Sequence, residues 1–197
     1  MPLKNQYDVC DGDAGFDIEM LHNGEIAVEI HSFRERNAKG DDIIELGCKI
    51  VWSAQDADQE RVGEEFKHTL FFNQKSGVTI KILKDVLRKA GFQVNGWVKD
   101  SETPLSLMLP SALKLLAWKR AVLIGKVTRS TNDQGTRAFF NLVKLAREVP
   151  GTGEPYPDAL PNPVPNALVL EAYHVDGLEG EDFNYGANAG GKDNIPV

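Results

Sequence analysis

GEIAVEIHSFRERNAKGDDIIELGCKIVW, residues 24–52, decides the fold. In GEIAVEIHSF (24–33), Ile26, Val28 and Ile30 fall on one side of an extended chain, and Glu29 and His31 on the other. That period of two is the mark of a half-buried strand. NAKG (37–40) is turn chemistry. In DIIELGCKIVW (42–52) the alternation resumes: Ile44, Leu46, Cys48, Ile50 and Trp52 oppose Glu45, Lys49 and Val51. Two alternating runs joined by a short turn predict an antiparallel hairpin with one buried face.

Outward from this hairpin, the polar loop SAQDADQERVG (53–63) leads into a third strand, EEFKHTLFF (64–72). The period then changes. In KSGVTIKILKDVLRKAGF (75–92), Ile80, Leu83, Val86, Leu87 and Ala90 recur at steps of three and four, which predicts an amphipathic helix ending at Gly91. PSALKLLAW (110–118) predicts a shorter helix with Pro110 near its start. KRAVLIGKVTRS (119–130) and TRAFFNLVKLA (136–146) flank a turn closed by Gly135, a second hairpin. The order is three strands, a helical region and two strands. A mainly β fold with helices follows. The same order, with a helix between strands 3 and 4, is that of an OB-fold, a small five-stranded Greek-key barrel whose outer face over strands 2 and 3 commonly binds single strands.

The flanks differ from this body. The 197 residues are 42% hydrophobic and 26% charged, values of a soluble globular chain. Net charge is −7 but uneven. Residues 1–23 hold one Lys and five acids, 24–149 hold 20 basic residues against 16 acids, and 150–197 hold one Lys and eight acids. A mildly basic middle between acidic ends is more informative than the total. Residues 1–23 are expected as an acidic arm, 24–149 as the binding domain, 150–176 as a Pro-rich connector with a short packed segment (167–175), and 177–197 as a disordered, Gly-rich acidic tail. There is no apolar run long enough for a membrane helix and no signal-peptide pattern at the start. Cys10 and Cys48 are far apart, so a reducing cytoplasm is the expected location.

Catalytic chemistry finds little support. Asp11, Asp13 and Asp17 begin like a calcium loop, but the twelfth position is His22 rather than Glu. His22, His31, His68 and His174 lack metal-ligand spacing. Phosphate-loop, HExxH, GxSxG and CxxC patterns are all missing from the sequence. The expectation is a non-enzyme without metal or cofactor.

Nucleic-acid chemistry fits better. Binding a single strand needs cations along the backbone and aromatic faces for bases. Arg34, Arg36 and Lys39 cluster at the first hairpin, and Lys49, Lys67, Lys126, Arg129 and Arg137 lie on strands or beside turns. Trp52, Phe71 and Phe139 interleave with them. Alternation puts Arg137, Phe139 and Asn141 on one face of their strand and Ala138, Phe140 and Leu142 on the other. It likewise sets Lys67, Thr69 and Phe71 against Phe66, Leu70 and Phe72, so Phe71 and Phe139 are the stacking candidates. Lys81, Lys84, Arg88 and Lys89 read as the solvated face of the long helix.

The chain ends Asp193-Asn194-Ile195-Pro196-Val197 behind a Gly-rich spacer. An apolar tip with a free carboxylate on an acidic leash suits capture by a basic-rimmed apolar pocket of another protein, and the leash can compete with DNA for basic residues. This tip resembles that of bacterial single-stranded DNA-binding proteins, which end in acids followed by Ile-Pro-Phe. Here Asp193, Ile195 and Pro196 match, and Val197 stands in place of the Phe.

Residues 24–146 resemble a family of phage-encoded OB-fold proteins from replication and recombination clusters. The resemblance rests on Ser32-Phe33-Arg34-Glu35-Arg36 before Lys39-Gly40, on GCKIVW, on Arg61-Val62-Gly63-Glu64-Glu65-Phe66, and on LKDVLRKAGF with the closing hairpin. It implies binding of single-stranded DNA with little sequence preference, and recruitment of replication or recombination proteins through the tail. Self-association is left open. Two alternatives are a protein-interaction or virion-assembly β-barrel, and a metal-dependent nuclease or hydrolase using Asp11, Asp13 and Asp17.

Overall fold

The computed structural model of the chain describes residues 20–38, 41–72, 77–99, 103–132 and 135–179. Among these residues five strands, β1 (Gly24–Ala38), β2 (Asp41–Ser53), β3 (Glu65–Phe72), β4 (Val122–Asn132) and β5 (Gly135–Leu145), form one antiparallel open sheet in the order β3-β2-β1-β4-β5. The described residues also form three α-helices, α1 (Gly77–Lys89), α2 (Leu105–Trp118) and α3 (Asn166–Tyr173). Among the described residues no helix is long and apolar enough to cross a membrane.

The alternation in 24–52 produces the expected hairpin. Val28 pairs with Ile50, Ile30 with Cys48 and Phe33 with Leu46, and all six side chains are buried. Two register shifts interrupt the ladder, leaving Val51 and His31 as extra residues. Such bulges bend strands and tighten their twist, and β1 changes neighbour along its length: Gly24–Glu29 pair with β4, whereas Ile30 and Phe33 donate to Ala121 and Leu178. The two edge strands approach on the inner side. The Phe140 ring on β5 meets Phe66 and His68 on β3 edge-to-face, each at 5.2 Å between centroids. Helix α1 lies against both of these strands.

Helix α1 ends as its sequence requires. Gly91 takes φ +95° and Phe92 N–H reaches back to Leu87 C=O at 3.0 Å, a glycine-capped terminus. Helix α2 departs from expectation by starting five residues before Pro110. Met108, Leu109, Ala112, Leu113, Leu115 and Leu116 are all buried, so the helix is apolar nearly all round and sits inside the core. Pro110 removes only the bond to the Ser106 carbonyl, a loss that this burial outweighs. The fourth strand begins at Val122 rather than 119 because residues 119–121 close α2: Ala121 N–H bonds Leu116 C=O at 2.8 Å and Arg120 adopts φ 48°.

The flanks are more tightly held than their composition predicts. Leu21 is buried, and the next residue, His22, donates its backbone N–H to Asp58 at 3.0 Å. In the connector, Leu160 and Val164 join the core, Arg147 Nη1 donates to Leu160 C=O at 2.9 Å, and the 167–175 run forms α3 against α2. Trp97 is buried and its indole N–H bonds Asn166 Oδ1 at 3.0 Å, fastening the start of α3. Leu178, placed by sequence in the tail, packs on the core and accepts a hydrogen bond from Phe33 N–H at 3.1 Å. The expected arm (1–19) and the remainder of the tail (180–197) lie outside the described residues.

Candidate nucleic-acid interface

Strand register sorts the candidate residues. Across β1, β2 and β3, Glu29–Lys49–Glu65, Ser32–Gly47–Lys67 and Arg34–Glu45–Thr69 lie in successive rungs. All alternate with the buried inward set Ile30, Cys48, Phe66, Leu46 and Ile44, so they share the outer face. Arg36 lies next on the same face, opposite Ile43, which in turn pairs with Phe71. Arg34, Arg36, Lys49 and Lys67 are therefore brought together on three adjacent strands. Phe71 holds a position on the same face, though its side chain is outside the described residues, and Lys39 lies outside them altogether.

A second group occupies the β4–β5 hairpin. Lys126 pairs with Asn141, Thr128 with Phe139 and Ser130 with Arg137. Their neighbours Val127 and Phe140 pair with each other and are buried, so Lys126, Phe139 and Arg137 point outward. Phe139 is half-buried while Phe140 is in the core, the division that alternation predicts. Arg129 is exposed and pairs with Ala138 on the inward-facing row, out beyond Val127. Trp52 goes elsewhere. It pairs with Ala27 and packs with Val51, Ile124 and Tyr156 on a satellite cluster formed by Ala27, Val122 and Ala146, beneath the connector. Burial there, and secondarily the Glu29 charge, raise the Tyr156 hydroxyl above the ordinary tyrosine range.

The electrostatics of the outer face are mixed. Glu45 is buried and meets Arg36 Nη2 at 2.7 Å. Lys49 Nζ stands 4.0 Å from Glu65, and the His31 Nε2 atom 3.7 Å from the same carboxylate, beyond hydrogen-bond reach. Sequence reasoning missed the small polar members of this face. Ser32 and Thr69 are buried, and their hydroxyls have no hydrogen-bond partner, like His31 Nε2. Gly47 permits close packing on this face, since Ser32 Oγ and the His31 ring occupy the space that a Cβ there would need. The only signal in the sequence is Gly47 itself, a glycine inside a strand, which often marks close approach.

Among the described residues, His68 and Cys48 are titratable groups buried on the inner face. Burial lowers His68 to a pKa of about 4, so it is neutral near pH 7. Burial pushes the Cys48 thiol far up, which keeps it from forming the reactive thiolate. Among the described residues no group of three or more His, Cys, Asp and Glu could hold a metal ion. Asp11, Asp13 and Asp17, the acids of the nuclease alternative, lie outside those residues, as do Asp193, Asn194, Ile195, Pro196 and Val197 of the tip. No family model matches the chain, and neither does any curated protein.

Proposed function

We propose that the chain is an OB-fold protein that binds single-stranded DNA and recruits replication, recombination or repair proteins through its C-terminal tip. The observation that carries this reading is the outward row Arg34, Arg36, Lys49 and Lys67 on β1, β2 and β3 of a sheet ordered β3-β2-β1-β4-β5. An OB barrel has this strand sequence when its two edges close, and it presents this face to single strands. The Phe140 contacts with Phe66 and His68, and α1 lying against both edge strands, are what such closure requires. Cations neutralise phosphates, and Phe139 offers a face on which a base stacks.

The start of the tail also fits. Leu178 accepts a hydrogen bond from Phe33, the residue before Arg34, so the last described residues lie beside cations for which an acidic leash would compete. Fluorescence anisotropy with labelled oligo-dT, duplex DNA and single-stranded RNA at low and moderate salt tests the reading. Salt-sensitive binding that prefers oligo-dT to duplex is expected. No binding even at low salt would refute it and leave the protein-interaction module. Truncation after Glu179, which keeps the Leu178 anchor, is expected to leave or raise DNA affinity while abolishing partner recruitment; weaker DNA binding would refute the leash.

A further inference from the structure

Helix α1 carries more positive charge than its own stability accounts for. It bears Lys81, Lys84, Arg88 and Lys89 against one acid, Asp85. Lys81, Arg88 and Lys89 are exposed and Lys84 is half-buried. Arg88 and Lys89 have a structural reason. They sit in the last turn, where a helix favours cations, and they meet the Asp85 carboxylate at 3.3 and 2.9 Å. Lys81 and Lys84 have no such reason. They lie in the N-terminal half, where the helix dipole offers cations nothing. Lys84 and Arg88 are also four residues apart, a spacing at which like charges repel. Asp85 stands four residues from Lys81 but is engaged by Arg88 and Lys89, and no ion pair joins Lys81 or Lys84 to another described residue.

Their placement gives these cations a use. Leu83, Leu87 and Ala90 bury one side of α1 in the core, which turns the cations outward. The helix lies against both edge strands of the sheet, β3 and β5. Strand β3 carries Lys67 outward, and β5 carries Arg137 and Phe139 outward. Helix α1 therefore joins, across the open edges of the sheet, two cationic groups that the strands hold apart. Lys81, Lys84 and Arg88 follow at steps of three and four, one stripe about 10 Å long.

We propose that the Lys81–Lys84–Arg88 stripe of α1 is a second phosphate-binding track, which carries the backbone of a long bound strand from β3 across to β5. This rests on the single-stranded DNA reading above and adds to it a length threshold. Short strands occupy the sheet face alone, and longer ones wrap onto the helix. A phosphate backbone is the occupant that the chemistry selects. The stripe has cations without aromatic rings, so it holds charge and offers no base a stacking surface. The acidic stretch 180–197 is the rival occupant, and the same variants separate the two.

The test uses the full chain with Lys81→Gln and Lys84→Gln together, and with Lys81→Arg and Lys84→Arg as the pair that keeps the charge. Both pairs change solvated side chains, so the proteins fold and should melt within about 2 °C of the wild type. Affinities for oligo-dT of about 8 and about 30 nucleotides, within and beyond the usual span of one OB domain, are measured across a salt series. On the long strand the Gln pair is expected to show a salt slope shallower by about 1.4, two contacts at about 0.7 each. Its deficit against the wild type should then shrink roughly 7-fold between about 50 and about 200 mM salt. On the short strand it should match the wild type, and the Arg pair should match on both. An unchanged slope on the long strand overturns the track while leaving the sheet-face reading intact. Equal losses on both lengths also overturn it, because the lysines then act on the sheet-face site rather than beyond it. Tighter binding by the Gln pair overturns it in favour of the acidic stretch as occupant. Absence of wild-type binding to both lengths removes the track together with the reading beneath it.

Discussion

The two faces of β1, β2 and β3 are one side chain apart in sequence and opposite in physical character. Inward, Ile30, Leu46, Cys48 and Phe66 are buried against helices and the other edge of the sheet. Outward, rungs only one residue displaced carry Arg34, Lys67, an Arg36–Glu45 pair and hydroxyls with no partner. The inner face is built of packed apolar side chains, whereas the outer face mixes charges with buried hydroxyls that have no partner. If the outer face binds a strand as proposed, stability and recognition are written on alternate residues of the same strands, and substitutions one position apart should separate them.

The largest effect is expected inside. Leu46→Ala removes a fully buried side chain and should lower stability by about 2 to 5 kcal/mol, a drop in Tm of roughly 10 °C for a domain of this size. Thermal denaturation beside an outer-face variant such as Lys49→Gln is the check. If the two melt together, the division between the faces is wrong.

Next comes the histidine sealed within that inner face. His68 has a folded pKa of about 4 against 6.5 for the free side chain, owing to burial. The unfolded chain therefore takes up a proton between those values while the folded chain does not. Stability is full above pH 6.5 and is lost as pH falls from there toward 4, by about 3 kcal/mol in all. Denaturant midpoints between pH 7 and 4.5 should fall in the wild type and stay flatter in His68→Leu. Parallel loss in both proteins would assign the acid limb to carboxylates instead.

This division was legible in the sequence wherever alternation was strict. Ile44, Leu46, Cys48 and Ile50 announce their face, and Phe139 and Phe140 were separated by parity alone. It failed where a local rule met a tertiary one. Pro110 looks like a helix start, but the apolar residues on either side of it belong inside the core, and their burial carries α2 back to Leu105. The prolines of 150–165 look like a free connector, yet Leu160 and Val164 are spaced to reach the core. Trp52 alternates with the inner residues in sequence, but the extra residue Val51 shifts the register and turns it to the satellite cluster. The close approach at Gly47 is less legible, because Ser32 is an ordinary strand residue until the bulge at His31 lays the histidine ring beside its hydroxyl over the glycine.

On β5 the comparison narrows to two adjacent rings. Phe140 is buried between Phe66 and His68, whereas Phe139 faces out beside Thr128. Phe139→Ala should weaken oligo-dT binding by about 1 to 3 kcal/mol and change Tm little, while Phe140→Ala should do the reverse. If Phe139→Ala costs as much stability as its neighbour, the ring serves packing and the stacking role is lost.

The smallest effect sharpens the comparison most. Lys49 is 43% exposed and its nearest acid, Glu65, is 4.0 Å away, a surface pair that contributes at most about 1 kcal/mol to folding. Lys49→Gln should therefore leave stability within about 0.5 kcal/mol of the wild type. A phosphate contact behaves differently. Each one that a protein makes to a single strand adds about 0.7 to the slope of log affinity against log salt, because one counterion is released. The variant should show a slope shallower by about that amount, with the loss equal on every sequence and fading as salt rises. A slope unchanged by Lys49→Gln would move the path of the strand off this part of the face, toward Lys67 or the Lys126 side. Slopes measured for Lys67→Gln and Lys126→Gln then trace which rungs the backbone follows.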